Sequence, residues 1–238
     1  MKFIKVLGFV LSAICVNAAV LPVEKCSLED SVCLKAAFQK AAPIFMAGIP
    51  EIGVEVQDVM DMEDISFDLS GLQFTLKDGK LKGLKSLVFD EVKWDLKKKQ
   101  IDMDFYLDGT VKGHYTASGR ILILPITGDG QMKLKLKHIQ LKFHVHYDME
   151  KDAEGKEHVV PKKYTYEFDV KDNANFHLTN LFNGNKELSE TMLKFLNENW
   201  KQISSEFGKP MVDVTAKSLF RNMATFLKSQ AIGDIANV

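Results

Sequence analysis

The chain has 238 residues, 46% of them hydrophobic and 26% charged, with a formal net charge of −1. That is an ordinary globular composition, long enough for one large domain or two small ones. Near-neutral charge, with Arg120 and Arg221 as the only arginines, argues against nucleic acid as a partner, because phosphate and base recognition lean on guanidinium forks.

The opening MKFIKVLGFVLSAICVNA reads as a secretory signal peptide over residues 1–18. Lys2 and Lys5 precede an apolar run from Val6 to Val16 that is too short to span a bilayer, and small residues precede a cut after Ala18. Its two lysines leave with it, lowering the formal charge from −1 to −3. Residues 19–238 then form a single domain with no low-complexity linker, expected to be secreted, extracellular and free of stable membrane insertion. Cys15 leaves with the leader, and the remaining pair, Cys26 and Cys33, is most economically a disulfide in an oxidising compartment. It closes a loop of about eight residues, worth about 2.5 kcal/mol in the loop-entropy model. There is no N-x-S/T sequon.

DSVCLKAAFQKAAPIFMAGIPEI reads as a helix capped by Asp30, bent or ended at Pro43 and closed by Gly48 and Pro50. From Ile52 the period shortens to two, and apolar alternation between glycine turns predicts a long antiparallel meander. Asp78-Gly79 and Asp108-Gly109 carry the tight-hairpin signature, and Gly128-Asp129-Gly130 reads as a turn between strands. Lys97-Lys98-Lys99 reads as a charged turn, and Glu150 to His158 as an exposed hairpin loop.

In MKLKLKHIQLKFHVHYDM the apolar face occupies Met132, Leu134 and Leu136, then shifts parity to Ile139, Leu141, Phe143, Val145 and Tyr147. One inserted residue near Lys137 and His138, a β-bulge, restores a single apolar face and bends the strand. The last third returns to helical spacing. Leu188, Met192, Phe195, Leu196, Asn199, Trp200, Ile203 and Phe207 predict one helix, broken by Gly208 and Pro210 before a second apolar stripe that runs to Ile232. The fold class is therefore α+β: a highly curved antiparallel sheet wrapped around a long C-terminal helix, with a short disulfide-pinned N-terminal helix.

Catalytic chemistry is not written in this pattern. His144 and His146 fall on the face opposite Phe143 and Val145, beside Lys142, which suits solvated side chains better than a metal site. Asp102 and Asp104 alternate with apolar residues on the polar side of a strand, where nothing poises a general acid or base. Asp58, Asp61, Glu63 and Asp64 lack the spacing of a calcium loop, and no nucleophile elbow, phosphate loop or H-E-x-x-H is present. The chain is expected not to be an enzyme and to need neither cofactor nor metal.

What the sequence does hold is 16 phenylalanines and 10 methionines. The segments Cys26 to Cys33 followed by AGIPEI, then YTASGRILILPITGDG, then LFNGNKELSETMLKFLNENWKQI resemble, in order and spacing, the takeout and juvenile hormone-binding protein family of insects. The resemblance runs from about Leu21 to about Ala231. It implies a secreted, haemolymph-type carrier with an internal tunnel for one elongated hydrophobic molecule, such as a terpenoid or fatty acid, and supports the Cys26–Cys33 bridge. The chain lacks the second bridge of the hormone-binding members and has Val59 where a proline usually follows the aspartate matching Asp58, so it is more similar to the takeout branch. The apolar-face argument nominates Phe38, Phe45, Phe105, Tyr115, Phe143 and Tyr147 as ligand-lining, with Tyr166, Met192, Phe195 and Phe220. Tyr115, Tyr147 or Tyr166 would fix a polar head group. The protein is expected to act as a monomer. The alternative is a secreted interaction module whose core is filled and which displays its surface to a receptor or partner.

Overall fold

The computed structural model describes Leu21 and residues 24–237; the expected leader and Cys15 lie outside the described residues. A two-residue strand β1 (Cys26–Ser27) leads into helix α1 (Ser31–Ala47). Strands β2 (Met60–Asp61), β3 (Ile65–Leu69), β4 (Leu72–Lys82), β5 (Val88–Asp95), β6 (Gln100–Ile121), β7 (Leu124–Lys151) and β8 (Glu157–Leu178) follow. Helices α2 (Lys186–Glu198), α3 (Trp200–Phe207), α4 (Lys209–Ser229) and α5 (Ile232–Ile235) come next, and β9 (Ala236–Asn237) pairs in parallel with β1. The large sheet runs β2-β4-β6-β7-β8, with β3 on β4 and β5 on β6, all antiparallel. The expected α+β architecture is what is observed.

The length of the strands dictates the shape. A straight strand of 28 residues, the length of β7, would measure about 90 Å, far beyond a domain of this size. The strands must therefore bend, and they do so along one line. Between Lys137 and Ile139 on β7 the register to β8 slips, and the register to β6 slips at Leu107/Gly109, where β6 meets the same stretch of β7. His138, at φ 50°, is the inserted residue. Its amide donates to Asp108 Oδ1 at 2.8 Å, and its ring stacks on Tyr106 at 4.5 Å. The parity change read from the sequence is this bulge: Met132 and Leu134 are buried before it, Ile139, Leu141, Phe143, Val145 and Tyr147 after it.

Three glycine-containing stretches behave otherwise than expected. Asp78-Gly79 and Asp108-Gly109 lie inside β4 and β6 at register shifts, not in hairpin turns. A positive φ, as at Asp78 (52°), serves a bulge as readily as a turn. Gly128-Asp129-Gly130 likewise lies within β7, paired with Ala117, Thr116 and Tyr115. Here glycine permits close approach: a Cβ on Gly128 would come within 2.4 Å of Tyr115 Oη, and one on Gly130 within 2.5 Å of the Thr179 carbonyl. The lysine turn at 96–99 and the loop at 152–156 join strands as expected.

Asp30 caps α1 by accepting from the amides of Val32 (3.1 Å) and Cys33 (3.0 Å), and Cys26 is bonded to Cys33. Pro43 does not end the helix, which continues to Ala47 before Gly48. Gln39 on α1 completes the hydrogen bonding of β5, donating to the Leu87 carbonyl (3.0 Å) and accepting from the Phe89 amide (2.9 Å). The helix predicted through Phe207 is broken at Asn199 into α2 and α3. The Asn199 side chain donates to the Phe195 carbonyl at 2.9 Å, the local competition with the helical ladder that disfavours asparagine in helix interiors.

Helix α4 is held against the segment after α1 by a buried amide cluster. Asn222, 1% exposed, accepts from the Glu55 amide at 2.7 Å and donates to the Ser218 carbonyl at 3.1 Å, while Ser218 Oγ donates to Gln57 Oε1 at 3.0 Å. Outside it, Arg221 pairs with Glu55 at 2.6 Å. Asn222→Ala removes a satisfied buried group and is expected to cost about 1–3 kcal/mol in denaturant unfolding, whereas Arg221→Ala, breaking an exposed pair, costs about 0–1 kcal/mol.

Tyr115 is fully buried, and its hydroxyl donates to the Thr179 carbonyl at 2.8 Å. Burial first, and the Asp129 carboxylate second, push its phenol up to about 12, against about 10 in an unfolded chain. The stabilisation from keeping this phenol neutral is complete below about pH 10 and is lost as the pH rises towards 12. Thermal melts across that window should show Tm falling, with a shallower fall in Tyr115→Phe.

Candidate functional site

The concave face of the sheet, α1 and α4 do not meet solidly. Between α1, β5 to β7 and the C-terminal half of α4 lies a cavity of about 260 Å³. Phe38, Phe45 and Met46 line it from the first helix, Phe89 and Trp94 from β5, Ile101, Met103 and Phe105 from β6, Phe143 from β7, and Leu219, Met223, Phe226 and Leu227 from α4. Edge-to-face pairs fix this wall: Phe38 with Phe89 at 5.7 Å, Phe89 with Phe105 at 5.6 Å, and Phe45 with Phe226 at 6.0 Å. The charged residues of the lining, Glu24, Lys25 and Asp234, stand exposed at the rim, beside the β1–β9 ribbon. There Lys25 Nζ donates to the Gly233 carbonyl at 2.7 Å and Asn237 Nδ2 to the Lys25 carbonyl at 3.0 Å.

A second cavity of about 100 Å³ lies at the other end of α4. Phe67, Phe74, Ile139, Phe168, Phe176, Phe207 and Met211 contribute to it, and its one hydroxyl is Ser204. Ser204 is buried, and its Oγ has no hydrogen-bond partner among the described residues. The two cavities follow the same inner surface: along β7, Phe143 lines the first, Ile139 the second, and buried Leu141 stands between them. Along α4, Leu219 and Val212 do the same with Ala216 between.

Of the ten nominated residues, Phe38, Phe45, Phe105 and Phe143 come together in the larger cavity. The other six line neither cavity. The hydroxyls nominated to hold a head group are engaged elsewhere. Tyr115 is bonded to Thr179, Tyr147 accepts from Trp94 Nε1 at 2.8 Å, and Tyr166 donates to the Asp213 carboxylate. Burial raises the Tyr147 phenol against the opposing Trp94 bond, and burial followed by the Asp213 bond raises that of Tyr166. Met192 packs in the core, Phe195 is half-buried against it, and Phe220 stacks on Tyr164 at 4.7 Å.

The lining residues absent from that nomination had a signal. Ile101 and Met103 share the alternation that selects Phe105, and Met223, Phe226 and Leu227 lie on the apolar stripe of the last helix. Phe89 and Trp94 were hidden by the register shift at Phe89/Glu91, which changes parity within β5. On the outer face, His144 Nδ1 lies 2.5 Å from Asp102 and Gln140 donates to Asp104 at 3.1 Å, so both carboxylates face away from the cavities. Asp58 accepts from the amides of Gly83 (3.1 Å) and Lys85 (2.9 Å). No group of three or more His, Cys, Asp or Glu among the described residues is placed to hold a metal.

A family model described as haemolymph juvenile hormone binding protein (JHBP) matches residues 6–236. The circadian clock-controlled protein daywake of Drosophila yakuba is 28% identical over 212 residues, covering 84% of this chain and 81% of that protein. Its Drosophila melanogaster counterpart is 27% identical over 209 residues, covering 83% and 80%. Among solved structures, Takeout 1 of Epiphyas postvittana is 69% identical, covers 91% of this chain and 100% of its own, and superposes with a TM-score of 0.89. Matched over nearly its whole length, the chain belongs to the haemolymph juvenile hormone binding protein family.

Proposed function

We propose that this protein is a secreted, non-catalytic carrier of an elongated hydrophobic small molecule. The observation that carries the reading is the apolar cavity of about 260 Å³ bounded by α1, the curved sheet and α4, with its charges at the rim. Pockets for small molecules run to about 300–1,000 Å³ and are mostly apolar with a few polar groups, so this space is of the right kind and near the lower size limit. Binding would draw on about 25 cal/mol for each Å² of apolar surface buried, less the cost of immobilising the ligand.

An elongated ligand is favoured because the second cavity continues the same inner wall about four residues further along β7, roughly 13 Å away at strand spacing. Buried Leu141 stands between the two. Ser204, buried without a partner, is the group that would receive a polar atom at the far end. Membership of a family named for haemolymph supports an extracellular carrier, as does the Cys26–Cys33 disulfide. No helix among the described residues is long and apolar enough to cross a membrane.

Solvent extraction of the purified protein followed by mass spectrometry, then titration of the stripped protein with fatty acids and terpenoids, tests the proposal. Met223→Trp, which pushes an indole into the cavity, is expected to lower affinity at least about tenfold while leaving Tm unchanged or raised, as cavity filling does. If no lipid is found or taken up, the carrier reading fails in favour of a filled interaction module; if Met223→Trp binds lipid as the parent does, this cavity is not the binding site.

A further inference from the structure

The outer face of the sheet carries a feature for which ligand storage has no use. Strand register sets Lys80 of β4 directly opposite Lys112 of β6, Lys112 opposite Lys133 of β7, and Lys133 opposite His177 of β8. The next row outward runs Lys82, Thr110, Lys135, Asn175. All of these side chains are at least partly exposed on the face opposite the buried Leu81, Val111, Leu134 and Leu178. Like charges directly opposite one another destabilise a sheet, so this arrangement works against the fold that carries it.

The surrounding acids neutralise it only at one end, where Asp61 of β2 lies directly opposite Lys80 and pairs with it. Lys77, Lys82, Lys112, Lys133, Lys135 and Lys137 form no ion pair among the described residues, although fourteen lysine or arginine pairs with carboxylates occur among them, one being that of Lys80. Asp61 is taken by Lys80, Asp129 by His114, and Asp108 faces the His138 amide. Asp78, exposed, lies on β4 at the register shift between Lys77 and Lys80. On a chain whose formal net charge is −1, this concentrates positive charge in one stripe.

We propose that this stripe is a docking surface for a linear polyanionic glycan, a sulfated or carboxylated polysaccharide. Four strands at about 4.8 Å spacing make each row about 14 Å long, a width and direction suited to an extended charged chain. A flat bilayer fits less well. The face is the convex side of a strongly bent sheet, and none of the exposed large apolar side chains lies within the lysine rows to enter a lipid interface. Lysine ammoniums, as mobile point charges without a fixed fork, suit a partner recognised by charge density. The disulfide is consistent with an oxidising extracellular setting where such glycans occur.

Retention of the full chain on immobilised heparin, used as a polysulfated probe, is expected at low salt and lost steeply as salt rises. With each surface lysine worth about fivefold against an anionic partner, Lys112→Gln, Lys133→Gln and Lys135→Gln together should weaken heparin binding roughly a hundredfold without lowering Tm. A control triple with the same change in net charge, Lys97→Gln, Lys98→Gln and Lys99→Gln in the β5–β6 turn, should bind as the parent does. Lys133→Glu, facing Lys112, changes the charge by two units and should weaken heparin binding roughly twenty-five-fold while raising Tm in the absence of heparin. Equal loss in both triples would show that net charge alone decides and overturn the proposal. So would absence of retention at low salt, or adsorption to phosphatidylserine vesicles without retention on heparin.

Discussion

The structure depends on one geometric constraint: three neighbouring strands of 22, 28 and 22 residues share a domain far shorter than any of them. The chain satisfies it with a bulge line, where His138 is inserted in β7 beside the slip at Asp108 in β6. Because the bulge also shifts parity, the apolar face stays continuous through the bend and the sheet curls with that face inward. Helix α4 lies against the inner surface, and α1 is stitched to the β5 edge through Gln39. The larger cavity is the space left between those two attachments.

The parts that could be read from sequence are those set by local patterns. The parity change in MKLKLKHIQLKFHVHYDM located the bulge because one buried face cannot hold both sets of apolar residues. Asp30 as a helix cap and Gly208-Pro210 as a break were equally local. The Asp-Gly pairs misled because a turn and a bulge ask the same of the backbone, and what distinguishes them is whether a partner strand continues. Gly128 and Gly130 needed knowledge of Tyr115 and Thr179, distant in the chain. The cavity followed the same division: Phe38, Phe45, Phe105 and Phe143 were legible from face periodicity, whereas the tyrosines were not, since a phenol on the right face can be committed to a carbonyl or carboxylate out of sight of the cavity.

The two sides of β7 express two kinds of physics in one strand. Inward, Phe143 and Ile139 shape an apolar space by packing and by leaving some of it unfilled. Outward, Lys133, Lys135 and Lys137 stand without ion-pair partners among the described residues. The two sides are separated by a backbone ladder that pairs β7 on both edges between Met132 and His146, interrupted at the His138 bulge.

The central claim is that the bent sheet and its two helices enclose a space meant to be occupied. A crystal structure of the protein purified without detergent from cells that secrete it tests this most directly. The account predicts continuous elongated density against Phe105, Phe143 and Phe226, extending past Leu141 towards Ser204. Those side chains closed upon one another, with no density between them, would contradict it.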